Sequence, residues 1–114
     1  MYINRSVMIL TPRKPMLEWA ARLSSYEAVS EVSPLSHDES SVYLIPECEN
    51  AEEFKLWLAE NHVFFFEQEL FDWCIDEDAW PKELTFEKFN EWFFCVWHST
   101  VTDVPDEPIV RLDY

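Results

Sequence analysis

The chain has 114 residues, of which 48% are hydrophobic and 17% aromatic, and a net charge of −15; one domain of that size buries roughly two-thirds of its unfolded surface without staples. It contains no glycine, which excludes P-loops, dinucleotide-binding turns, EF-hands and nucleophile elbows in their usual forms, because each needs backbone that turns sharply or lets a ligand approach. The negative field repels nucleic acid and anionic membranes and attracts basic proteins, so neither direct nucleic-acid binding nor membrane association is expected.

In chain order, Val7, Met8, Ile9 and Leu10 form a continuous apolar run inside "NRSVMILTPRKP" (4–15), the pattern of a strand buried on both faces. Pro15 suits the first turn of a helix in which Met16, Trp19, Ala20 and Leu23 share one side. The polar, Ser-rich stretch 24–41 reads as a loop, and "VYLIP" (42–46) as a second strand. Asn50 before Ala51, Glu52 and Glu53 is close to a capping box. The helix it opens turns Phe54, Trp57 and Leu58 inward, with a break expected at Asn61-His62 and a second helical piece that uses Val63, Phe66, Leu70 and Trp73. His37 and His62 are given no role. Thr85 is an N-cap, and Leu84 with Phe89 has the spacing of a hydrophobic staple for a helix that uses Phe86, Phe89 and Phe93. Residues 95–104 alternate as a third strand, with Trp97 and Val101 on one face and His98, Thr100 and Thr102 on the other.

These elements predict a single α+β domain over 1–114: a small three-stranded sheet packed against three to four helices, with a reduced ferredoxin-like arrangement as one option. Trp19, Trp57, Phe66, Trp73, Phe89 and Trp97 are expected in one core. No leader pattern opens the chain, no apolar run approaches the ~20 residues of a membrane span, and Cys48, Cys74 and Cys95 are an odd, widely spaced set. A reduced, cytoplasmic protein is expected.

The stretch "DWCIDEDAWP" (72–81) looks most like chemistry. Asp76 and Asp78 alternate like calcium ligands, but the turning glycine and closing glutamate are missing. Cys74 with Cys95 and His98 could make a zinc site, although Cys74 stands alone and a strand would put Cys95 and His98 on opposite faces. Carboxylates around Cys74 disfavour its thiolate, the reverse of what a nucleophile needs. A Ser99-His98-Asp103 triad fails because adjacent strand side chains point apart. The simpler reading is a loop pinned to the core by Trp73, Cys74, Ile75 and Trp80, its acids in water. No metal and no cofactor is expected; a small enzyme or metal-binding protein built on Cys74, Asp76, Asp78, Cys95 and His98 remains the alternative.

The acidic helices offer more. Residues 1–30 carry Arg5, Arg13, Lys14 and Arg22 against Glu18 and Glu27, so nearly all the negative charge lies beyond them. Glu53, Glu60 and Glu67 recur every seven residues, with Glu49 leading; in an unbroken helix they would line one stripe about 10 Å apart. A solvated helix face is the ordinary explanation of such a stripe. Its one-signed charge is costly, however, which points to a basic protein partner engaging Glu49, Glu53, Glu60 and Glu67, in its sharpest form a nucleic-acid mimic.

The opening "NRSVMILTPRKP", the "YLIPE" of 43–47, the "WC-D" and "WP" of the central loop, and "FNEWFFCVWHS" together resemble a family of small, acidic bacterial proteins without an assigned activity. The resemblance spans most of the chain and implies a shared fold and a bacterial cytoplasm. It carries over no catalytic residue.

Overall fold

The computed structural model describes residues 1–25 and 40–112. Their order is β1 (Arg5–Pro12), α1 (Lys14–Ser25), β2 (Ser41–Pro46), α2 (Ala51–Trp73), a 3-10 turn (Glu77–Ala79), α3 (Phe86–Trp92) and β3 (Phe93–His98). The loop expected over 24–41 lies outside the described residues from 26 to 39, and its two ends belong to α1 and β2. The class is α+β, as the pattern implied.

The sheet has the order β2-β1-β3, and β1 is antiparallel to both neighbours. A ferredoxin-like sheet needs a parallel pair from a split β-α-β unit. Here β1 and β2 are adjacent and antiparallel, so that option is replaced by a simple antiparallel layer. Tyr43, Met8 and Trp97 stand in one row across the three strands, as do Val42, Ile9 and Val96. Alternation sends the first row inward and the second outward.

The inward row meets α2, which crosses from β3 to β2: Phe54 stacks on Trp97 with centroids 5.7 Å apart, and Phe65 meets Tyr43 edge-on at 4.9 Å. α3 closes the other side, where Phe66 is ringed by Phe89, Trp92 and Phe93 at 5.5–5.8 Å. Such offset and edge-on pairs suit the ring quadrupoles. Phe66 and Phe89 are fully buried and Trp19 nearly so, whereas Trp57, Trp73 and Trp97 pack half-buried at the edge of the same core. The outward face corrects the expectation of a strand buried on both sides. Met8 and Leu10 are buried, but Val7 and Ile9 are only half-buried, and Val42, Leu44 and Phe94 beside them are exposed.

Polar groups fix the joints. Ser6, buried within the sheet, donates from its hydroxyl to the Ser99 carbonyl at 3.2 Å and accepts from the Cys48 amide at 3.1 Å. One hydroxyl thus ties the segments that follow β2 and β3. Thr85 caps α3 by accepting from the Lys88 amide, and Asn50 caps α2 by accepting from the Glu53 amide, both as expected.

Further expectations are corrected. α2 runs unbroken through Asn61 and His62. Both residues turn their polar atoms back onto the helix: Asn61 Nδ2 donates to the Trp57 carbonyl at 2.8 Å and His62 Nδ1 lies 2.8 Å from the Ala59 carbonyl. His62 also has a role, since its Nε2 lies 3.0 Å from the Leu84 carbonyl, joining α2 to the entrance of α3. β3 begins at Phe93 and ends at His98, and the chain beyond it pairs with the segment before β1 through an isolated Tyr2–Thr102 bridge.

Candidate functional site

Because α2 is continuous, one helical phase governs all 23 of its residues. Phe54, Leu58, Phe65, Phe66, Glu69 and Leu70 fall on the buried arc. At 100° per residue the opposite arc holds Glu53, Leu56, Glu60, Val63, Phe64, Glu67 and Phe71. All seven are exposed; Leu56 is 70%, Phe64 59% and Phe71 51% accessible. Val63, expected inside, therefore lies outside, because its assignment assumed a helix restarted after a break.

The glutamates occupy the predicted stripe, but not alone. Four large apolar side chains interleave with them on the same surface. Glu53 has a second duty: its carboxylate accepts from the Glu49 amide at 3.2 Å, which completes the cap at the start of α2 and holds Glu49 beside the helix. Glu60 and Glu67 carry no such duty among the described residues.

Towards its C-terminal end this face deepens into an open cleft of about 320 Å³, lined by Phe64, Glu67, Gln68, Phe71, Glu77 and Trp80. Three aromatic side chains and two carboxylates define a chemistry: the stem of a Lys or Arg lies on ring faces while its charged head meets carboxylate. The 3-10 turn builds the far wall. Asp76 caps it by accepting from the Asp78 amide at 3.1 Å. Trp80 Nε1 donates to the Cys74 carbonyl at 2.9 Å, and Trp19 Nε1 donates to the Ala79 carbonyl at 3.0 Å.

These bonds answer the question raised by residues 72–81. Two indole N–H groups pin the loop, and Asp76 is engaged in a cap. Ile75 takes no part in the pinning, being 75% exposed. The alternative site is scattered. Cys74 caps the C-terminal end of α2, while Cys95 lines a pocket with Phe54 and Leu58 near its beginning; the rise along the helix from Leu58 to Cys74 is about 24 Å. His98 is exposed at the end of β3, on the opposite sheet face from Cys95. Burial pushes the Cys95 thiol up to about 11, which keeps it protonated at neutral pH. Among the described residues, no three His, Cys, Asp or Glu side chains come together in a way that could hold a metal ion. No described helix is long and apolar enough to cross a membrane.

Comparison with protein-family models, curated proteins and solved structures returned no match. The apolar half of the α2 face escaped sequence reading because Val63, Phe64 and Phe71 look like core residues; the signal that finds them is the phase set by the Asn50 cap, carried through Asn61-His62 without interruption.

Proposed function

We propose that this is a non-enzymatic interaction protein that receives a basic, amphipathic segment of a protein partner on the outer face of α2. The observation that carries the reading is the interleaving of exposed Glu53, Glu60 and Glu67 with exposed Leu56, Val63, Phe64 and Phe71. Carboxylates attract a basic partner and orient it, whereas apolar side chains hold it once water is excluded. A nucleic-acid mimic needs an unbroken acidic face. The four apolar side chains interrupt this one, which favours a partner that is itself part apolar. The cleft beside Phe64 and Phe71 gives one basic side chain of that partner a place to anchor.

The test begins with a partner retained on immobilised protein at low salt and eluted by a salt gradient. Its binding kinetics are then compared across variants. Glu60→Gln/Glu67→Gln keeps shape and helix propensity, so association slows and its salt dependence flattens. Phe64→Ser/Phe71→Ser leaves the charges alone, so dissociation speeds up. Wild-type rates and salt slope in both double variants would mean that the face is only solvated surface.

A further inference from the structure

A second pocket has the opposite electrical character. It lies at the β3 edge, where the first turns of α2 meet α3, and has a volume of about 370 Å³, within the range of small-molecule sites. Phe54, Leu58 and Phe93 are buried residues that form its floor, and the exposed Phe94 also lines it. Arg13 and Lys55 line it from β1–α1 and α2 respectively. The chain has 23 acidic side chains against eight basic ones, yet of the nine lining residues two are basic and none is acidic. Glu87 and Glu91 stand on α3 but are not among the lining residues.

Arg13 is held in place. Its amide donates to the Trp92 carbonyl at 2.7 Å, and its Nη1 donates to the Asn90 carbonyl at 3.1 Å, near the C-terminal end of α3. A guanidinium carries five N–H donors, so a fixed one retains several for a planar carboxylate. Lys55, on an exposed turn of α2, adds a mobile point charge at the rim. The thiol of Cys95 is neutral and half-buried, and contributes packing.

We infer that this pocket binds a small organic anion with a flat apolar body, the chemistry of an aryl carboxylate. The rings of Phe54 and Phe93 take the body, while Arg13 and Lys55 take the charge. The site is separate from the α2 cleft and does not depend on it: one admits anions, the other cations.

The experiment titrates isotope-labelled full chain with 1-naphthoate, followed by NMR, beside uncharged 1-naphthamide and cationic 1-naphthylmethylamine. Naphthoate should give saturable shifts centred on Phe54, Lys55, Asn90 and Cys95 and raise the melting temperature. Naphthamide should bind about tenfold more weakly, the worth of a charge-assisted hydrogen bond, and the amine should leave those resonances unmoved. Arg13→Gln also removes a tether to α3, so Lys55→Gln is the cleaner variant; it should keep the wild-type melting temperature and weaken naphthoate several-fold. No saturable shift up to about 10 mM naphthoate would overturn the inference. So would naphthamide binding as tightly, Lys55→Gln having no effect, or shifts centred elsewhere.

Discussion

Tyr43 and Glu69 form a constrained ionisable pair where β2 meets α2. The Tyr43 hydroxyl donates to Glu69 Oε2, and Glu69 is buried on the inward side of α2. Burial raises the Glu69 carboxyl above its ordinary value of 4.5 and the Asp72 charge adds to this, while hydrogen bonds from Tyr43 and Ser41 pull part of the way back. Burial, with Glu69 next, also raises Tyr43, so its phenol stays protonated. The folded chain therefore holds a proton on Glu69 at a pH where the unfolded chain has released it, and stability falls as pH rises through that window. Below the unfolded value the cost is absent; above the folded value it is fully present. Glu69→Gln cannot ionise, so urea midpoints from about pH 4 to pH 8 should move in favour of the variant as pH rises. A constant gap across that range would show that Glu69 titrates alike in both states.

Element ends were the most legible part of the fold because capping is local chemistry. Asn50 and Thr85 each accept from the amide three residues on, and replacing either by Ala should cost about 1 kcal/mol in chemical denaturation. A loss near zero would show that the helix end is held by packing alone. The inward side of α1 was equally legible: Met16, Trp19 and Ala20 are buried, on the spacing that the sequence displays. The continuity of α2 was not. Asn61-His62 resembles a helix stop, and nothing local announces that both side chains bond back to the helix and that His62 also reaches Leu84. That one misreading moved Val63 inward and hid the apolar half of the outer α2 face. The start of β3 was lost differently, since "WFFCVW" suits both periods, and the helix ends where Phe93 is needed on the sheet. Strand order depends on pairings such as Met8 with Tyr43 and Trp97, distant in sequence and invisible to a local reading.

At the scale of the whole molecule, charge and burial divide the surface. The acid stripe was legible from its seven-residue spacing. The basic pocket was not, because Arg13 and Lys55 stand far apart in the chain and meet only when β1, α2 and α3 pack. The result is an acidic protein with an amphiphilic acidic face along one helix and a small basic pocket at the edge of its sheet. The functional account turns on the first of these.

The most direct measurement of that account is the footprint of a basic amphipathic probe. A helical Leu/Lys peptide is titrated into isotope-labelled protein, with an oligolysine of equal charge for comparison, and amide shifts are mapped. The account predicts shifts concentrated on Leu56, Glu60, Val63, Phe64, Glu67 and Phe71 with the Leu/Lys peptide, and weaker, more salt-sensitive binding of oligolysine. Shifts spread evenly over the acidic residues, with oligolysine binding as tightly, would contradict it.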